Sequence, residues 1–335
     1  NYIAPHKIDM SDKAVWDEFC KGNTNCIFQF ESQGMKDSLK QMKCETLDEL
    51  ALANALFRPG SMDKIPLFAA RKDGKEPTTY IHPDLQPILK VTYGILVFQE
   101  QLIEIGRLAK LRNPDEIRKA TAKKKVELMA KVEPELKHGL QDRGWTQEQV
   151  DTLWEDIIKF AKYSFNKSHA SAYALTAYIT MYLKVHHSAE FMTADINSRE
   201  GDAKKVADSI MEAKRMGLKI AFPKWGEIKG KAFCKEGVIY LGTEQIKGFG
   251  EMFGESLQSL QSANYTSIFD LFMACLSAKV SIKGLKSLAL LGAFSRFGSE
   301  TKIARLADLM DGCVNNGKLR SFFNIDKLPT KLETM

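Results

Sequence analysis

The residues best equipped for chemistry lie between Tyr163 and Tyr173, in the run Tyr-Ser-Phe-Asn-Lys-Ser-His-Ala-Ser-Ala-Tyr. An amide, a cation, an imidazole and a phenol are interleaved there with small residues. Ser168 is expected to cap a helix that starts at this point. His169 and Tyr173 are then four apart and leave the first turn on one face. The unpaired N–H groups of that turn and the positive end of the helix dipole favour anions such as phosphate. Ala170, Ser171 and Ala172 leave room for a flat group. The pattern fits equally a helix start whose His and Tyr pack in a core, and spacing alone leaves both readings open.

A second group is cationic. Between Arg107 and Lys125 lie Arg107, Lys110, Arg112, Arg118, Lys119, Lys123, Lys124 and Lys125, against Asp115 and Glu116 alone. A charge run of this kind ordinarily marks a solvated helix face. A third group is Ile246-Lys247-Gly248-Phe249-Gly250, an apolar-Lys-Gly-x-Gly turn expected between two short helices. Its glycines let backbone N–H groups approach a phosphate closely, and the next helix offers its N-terminus to the same anion.

Composition limits the alternatives. The chain has 335 residues, 44% hydrophobic, with a net charge of +6. That is enough for two or more domains, and the mild basicity permits a polyanionic partner without requiring one. The cysteines, Cys20, Cys26, Cys44, Cys234, Cys275 and Cys313, form no Cys-x-x-Cys pair, and no His cluster completes a zinc spacing. Reduced thiols, a cytoplasmic setting and no metal site of that kind are expected. No apolar run reaches membrane-spanning length and no signal peptide opens the chain. It begins with Asn, in mid-stride, and reads as an excised or processed piece of something longer.

The elements that must position these groups are mainly helical. A helix is expected around Ala14–Phe19, then a strand-like piece at Ile27–Phe30 and a helix through Leu39 and Met42. Thr46 with Glu49 reads as a capping box opening a helix that ends before Arg58-Pro59-Gly60. Tyr93–Phe98 reads as extended, passing into a helix through Leu102, Ile105 and Leu108. Val150, Leu153, Trp154, Ile157 and Ile158 have helical spacing. The run from His169 to His187 is apolar on nearly all sides and is expected to be a central buried helix. A helix near Ala203–Met216, a β-hairpin over Ala232–Cys234 and Val238–Leu241, and helices near Thr266–Leu276 and Ile282–Leu291 follow. The pattern changes character after residue 200, and residues 297–335 read as a peripheral tail.

Seven stretches, in order, resemble the bacterial replicative DNA polymerase III alpha subunit, family C. They are Phe28-Gln29-Phe30-Glu31-Ser32 with Gly34-Met35, Ala55-Leu56-Phe57-Arg58-Pro59-Gly60, and Thr92-Tyr93-Gly94-Ile95 with Gln99-Glu100-Gln101. Then come Ile117-Arg118-Lys119-Ala120 with Lys123-Lys124-Lys125, Phe165-Asn166-Lys167-Ser168-His169 with Ala172-Tyr173, Ile246–Gly250, and Leu291-Gly292-Ala293-Phe294. The resemblance implies a helical fingers domain over 1–200, a helix-hairpin-helix DNA-binding module with a small β-hairpin over 201–296, and the tail. Ser164 and Ala122 depart from the family's glycines, and Arg118-Lys119 replaces a paired arginine.

The resemblance also implies roles. Arg118, Lys123 and Lys124 would surround the β and γ phosphates of an incoming dNTP, with Arg118 foremost for its bidentate geometry. His169 and Tyr173 would border its base and sugar. Asn166 and Lys167 either position phosphate or build the turn. Arg58 either fixes the Pro-Gly turn or touches nucleotide, and Glu31 and Glu100 read as scaffold. Lys247, Gly248 and Gly250 would touch the backbone of primer-template DNA without reading sequence. Mg2+ would be bound by the palm aspartates and the dNTP; those aspartates are not expected in this chain, so no catalytic residue is assigned to it. The expected partners are the polymerase palm region, other replisome subunits and the sliding clamp, whose short apolar binding motif is not evident. The competing reading is a non-catalytic DNA-binding or replisome assembly protein that keeps the fingers fold.

Overall fold

In a computed structural model, the structure describes residues 4–123, 126–161, 163–246, 249, 251–311, 314–315 and 318–319. The chain divides by packing into two compact units, Asn1–His186 and His187–Met335. This packing division falls earlier than the change of sequence pattern after residue 200, because the helix that follows His187 packs with the later elements.

Among the described residues the first unit contains ten α-helices: α1 (Lys13–Lys21), α2 (Gln33–Met42), α3 (Leu47–Leu56), α4 (Ile65–Lys72), α5 (Gln86–Leu89), α6 (Gln99–Leu108), α7 (Asp115–Lys123), α8 (Val126–Gln141), α9 (Gln147–Phe160) and α10 (Lys167–His186). Four helices begin where a short polar side chain meets their first N–H groups: Asp12 for α1, Ser32 for α2, Thr46 for α3 and Thr146 for α9. The Thr146 cap is reciprocated by Gln149. Glu49 does not complete the expected box at Thr46. Its carboxylate accepts from Glu45 N–H, from Lys72 Nζ at 2.7 Å and from the Tyr93 hydroxyl at 2.8 Å, so it ties α3 to α4 and to the turn at Tyr93. Helix α3 is buried from Glu49 to Leu56 and packs chiefly on α10. A second core joins α6, α7, α8 and α9 through Leu102, Ile105, Ile117, Leu136, Trp154 and Phe160.

Two further expectations for this unit are corrected. Ile27–Phe30 is a turn, not a strand: Ile27 and Phe30 are buried, and Cys26 and Gln29 take left-handed φ of 64° and 68°. Helix α10 is not buried on all sides. Ala170, Ala174, Ala177, Tyr178, Met181 and Lys184 form its single buried face, while Ala172, Leu175 and Thr176 are exposed. Small side chains on the buried face let α10 approach the alanine-rich α3 closely, so one face suffices for packing.

The second unit contains α11 (Ser188–Ser198), α12 (Ala203–Arg215), the strands β1 (Lys219–Ala221), β2 (Phe233–Lys235) and β3 (Val238–Tyr240), then α13 (Glu251–Leu260), α14 (Ile268–Ser277), α15 (Ile282–Leu290) and α16 (Glu300–Asp311). Strands β2 and β3 form the expected antiparallel hairpin, closed by Glu236 and Gly237, both at positive φ as a tight hairpin turn of this twist requires. Strand β1 adds in parallel to β3, giving the order β1-β3-β2. Asn197 of α11 hydrogen-bonds both main-chain groups of Ala232 at 2.9 Å and so fixes the helix against the hairpin. The expected peripheral tail is also corrected for its first part. Helix α16 packs along α15 and buries Ile303, Ala304, Ala307 and Met310 in the same core as Leu271, Phe272 and Phe294. A final pair, β4 (Val314–Asn315) and β5 (Lys318–Leu319), is antiparallel. Among the described residues no helix is long and apolar enough to cross a membrane, and Cys20, Cys26, Cys44, Cys234 and Cys275 are free thiols.

Candidate nucleotide and DNA interface

The entry to α10 is held by the triplet Gln99-Glu100-Gln101, each residue fixing one part of it. Gln101 is buried; its carbonyl oxygen accepts from Val97 and Phe98 N–H at 2.9 Å, and its amide donates to Thr92 Oγ1 at 2.8 Å. This pins the extended piece before α6. Phe165 then pairs with that piece in parallel: its N–H donates to Val97 O, and its carbonyl accepts from Gln99 N–H at 2.8 Å. Gln99 donates from its side chain to Ser164 Oγ at 3.3 Å. Glu100 spans the helix start, accepting from Asn166 Nδ2 and from Lys167 N–H, both at 2.8 Å.

The cap itself is Asn166, not Ser168. Asn166 Oδ1 accepts from His169 N–H at 2.8 Å, and Ser168 turns its own hydroxyl onto the same oxygen at 2.6 Å. Two acceptors, one amide oxygen and one carboxylate, therefore already meet the first N–H groups of α10. The position where the sequence suggests a phosphate is satisfied internally by Glu100 and Asn166. Lys167 Nζ lies 3.7 Å from Asp48, a loose surface pair.

His169 and Tyr173 stand together on one face, as the spacing predicts, with rings 4.1 Å apart. His169 is exposed, and Tyr173 is half-buried. The series extends at both ends. Phe165 packs edge-on to His169 at 5.6 Å, and the Arg58 guanidinium lies 4.8 Å over the Phe165 ring. At the other end Phe28 meets Tyr173 at 5.2 Å. A guanidinium and four rings thus run without a break across three segments distant in sequence. Spacing within one helix revealed His169 and Tyr173; Phe165, Phe28 and the stacked Arg58 gave no such signal, although each lies in a motif stretch. Beside them, Lys64 donates to the Tyr163 hydroxyl and sits 4.5 Å over that ring, and burial pulls its ammonium below the usual lysine range.

The basic segment forms α7 and the turns before it. Arg118 gives Nε and Nη2 to the two oxygens of Asp115, at 2.5 and 3.1 Å, a bidentate pair one turn apart. Lys119 Nζ lies 3.0 Å from the same carboxylate. Hydrogen bonding from Arg118 lowers the Asp115 carboxyl to about 2; burial opposes it, and Lys119 adds a smaller lowering. The Arg118 guanidinium is raised chiefly by Asp115 and also feels Glu100, so the basic helix and the start of α10 share one electrostatic neighbourhood through that glutamate. Lys123 ends α7; its side chain, and Lys124, lie outside the described residues.

Lys247, Gly248 and Gly250 also lie outside the described residues. What flanks them is described. A single 3-10 turn, Thr243–Gln245, precedes the loop, in place of the short helix expected, and α13 follows it directly. Gly242 leads into the turn so close to Gly230 that an added Cβ would stand 2.0 Å from the Gly230 carbonyl oxygen, so only glycine fits. Phe249 packs edge-on against Phe253 at 4.1 Å and anchors the loop to α13.

Among the described residues no group of three or more His, Cys, Asp or Glu is placed to hold a metal ion.

Known proteins resemble this chain along most of its length. The family described as the bacterial DNA polymerase III alpha subunit finger domain matches residues 1–144, and that described as a helix-hairpin-helix motif matches residues 196–304. The DNA polymerase III subunit alpha of Aquifex aeolicus is 35% identical over 296 residues, 86% of this chain and 25% of the relative. That of Bacillus subtilis is 34% identical, covering 87% of this chain and 26% of the relative. That of Escherichia coli K12 is also 34% identical, with the same two coverages, 87% and 26%. The chain thus spans about a quarter of the length of these relatives. With both family matches in order along a mainly helical fold, the chain belongs to the bacterial DNA polymerase III alpha subunit family and carries its finger and helix-hairpin-helix regions.

Proposed function

We propose that this chain is the part of a cytoplasmic DNA-directed DNA polymerase that grips the incoming dNTP and holds the primer-template duplex. The observation that carries the reading is the outward-facing pair His169 and Tyr173 at the start of α10, in a chain of the finger family. An aromatic face stacks on any base, which suits an enzyme that accepts all four. The half-buried phenol beside the sugar would reject a 2′-hydroxyl by clash. Arg118, Lys123 and Lys124 would neutralise the β and γ phosphates as pyrophosphate leaves. Asn166 and Lys167 serve by fixing the helix start. Lys247, Gly248 and Gly250 would contact duplex backbone. Magnesium would come with the dNTP and the palm aspartates, carried by a palm region acting with this chain. Other replisome subunits, the sliding clamp among them, are the partners this role calls for.

The test is a titration of the chain with primer-template and dNTP-Mg2+, with a palm fragment added, followed by chemical-shift perturbation or nucleotide cross-linking. Shifts at Arg118, His169 and Tyr173 and a steep fall of DNA affinity with salt are expected. Primer extension by the pure chain would refute the assignment of the carboxylates to another region.

The second reading, a non-catalytic DNA-binding or replisome assembly protein, is favoured by one observation. The helix start is occupied by Glu100 and Asn166, and Arg118 by Asp115, so a triphosphate must displace carboxylates to be gripped. DNA binding with no nucleotide-dependent shift at these residues selects it.

A further inference from the structure

The turn before α2 spends unusual effort on one exposed side chain. Cys26 and Gln29, neither of them glycine, hold left-handed φ of 64° and 68°. The turn is braced from several sides. Thr24 Oγ1 donates to Phe30 O at 2.5 Å, and Cys26 N–H donates to Glu31 Oε1 at 2.8 Å. Lys36 donates to the Asn25 side chain. The buried Lys184 of α10 donates to Asn23 O and Asn25 O, at 3.1 and 2.8 Å. Ile27 and Phe30 are fully buried on either side, while Phe28, between them, is 51% exposed. The Phe28 ring is the outer end of the series Arg58–Phe165–His169–Tyr173–Phe28, whose successive separations run from 4.1 to 5.6 Å.

We infer that Phe28 is a stacking residue for an unpaired nucleobase, which extends the ring series by one member beyond Tyr173. A scattered surface phenylalanine is ordinary and needs no explanation. This one differs in that the turn carrying it holds two left-handed non-glycine residues and is braced, and its ring meets Tyr173 while staying half exposed. A planar, apolar, sequence-tolerant platform at the end of a stack takes a base face, and every base has one. The inference rests on the nucleotide-binding reading of His169 and Tyr173 and adds a contact that reading does not contain. The base belongs either to a single strand or to a free nucleotide, and the two are separable by experiment.

Affinity of the chain is measured by fluorescence anisotropy for a labelled unpaired deoxyoligonucleotide, and separately for a labelled dNTP with magnesium. The proteins are the parent, Phe28→Ala, Phe28→Leu, Phe28→Tyr and His169→Ala, with thermal melting as a control. Phe28→Ala and Phe28→Leu are expected to lose about 5- to 150-fold in affinity, the range for removing one base–aromatic stack, and Phe28→Tyr about 2-fold or less. Loss with the oligonucleotide alone assigns the base to a strand; loss with the nucleotide alone assigns it to a dNTP. Phe28→Leu binding both as tightly as the parent, while His169→Ala weakens, overturns the Phe28 assignment and leaves the broader reading standing. A parent chain that binds neither probe overturns both. Melting is expected to stay within a few degrees for every Phe28 variant, because the ring is outside the core.

Discussion

In the first turns of α10, Asn166, Ser168 and His169 are exposed and the polar atoms serve the helix start; in its last turns Tyr178, Met181 and Lys184 are buried and serve the fold. Tyr178 donates its hydroxyl to Asp9 O at 2.8 Å and accepts from Asp12 N–H, and Lys184, 4% exposed, donates to two carbonyls of the turn that carries Phe28. His186 Nε2, near the end of the helix, lies 2.7 Å from Asp12 Oδ2. The same helix is thus a rigid post at one end and a presentation surface at the other. A ring series meant for a ligand needs support that does not itself move, and along α10 the supporting contacts begin more than one turn beyond Tyr173.

The comparison breaks most visibly at Lys184. Lys184→Met keeps the apolar stem but strands the Asn23 and Asn25 carbonyls. A loss of about 3 kcal/mol is expected, since hydrogen bonds to a charged donor are each worth more than neutral ones. Urea unfolding with an unchanged m-value checks it. A loss below about 0.5 kcal/mol would mean the buried end is not the support.

Asn166→Ala removes the acceptor for His169 N–H and is expected to cost about 1 kcal/mol, the usual worth of a helix cap. Ser168→Ala is expected to cost less, because Ser168 only donates to the Asn166 oxygen. If the two rank the other way, the cap has been assigned to the wrong residue.

Tyr178→Phe is expected to cost roughly 1 kcal/mol near neutral pH and to change the alkaline limb of stability. Burial pushes the Tyr178 phenol up to about 12, against a smaller lowering by the Asp12 N–H. The fold therefore favours the protonated phenol over its ordinary value of about 10. That contribution is fully present below about pH 10 and is lost as pH rises through about 12. The parent should lose stability across this window more steeply than Tyr178→Phe. Equal slopes in unfolding midpoints measured across it would count against this role.

The smallest expected effect is at the presenting end. His169→Ala should change stability by no more than about 0.5 kcal/mol, as for an exposed side chain whose contacts lie at the surface. A larger loss would return His169 to the role of a packing residue.

Much of this was legible in the chain. Helical spacing marked α9 and bounded α12 and α15 within a residue, and the tight turn at Glu236-Gly237 announced the β-hairpin. The pairing of His169 with Tyr173 followed from the i, i+4 geometry of any helix. The capping residue was misjudged because two adjacent polar side chains, Asn166 and Ser168, satisfy the same sequence rule. Only the position of Glu100, brought in from α6, decides between them. Helix α16 went unread because its four buried residues gain their meaning from α15, against which they pack.

By itself the sequence determined what is local or ordered along the chain. It set the helix periods, the order of motifs that marks the family, and the presence of cations and aromatics near α10, since these depend on neighbours within a turn or on the succession of residues. Tertiary structure alone decided which face of α10 is buried, that Glu100 occupies the anion-attracting helix start, and that Phe28 and Arg58 join the ring series there. Those facts arise from contacts between segments separated by tens to more than a hundred residues, where no spacing rule operates and packing settles which side chains meet.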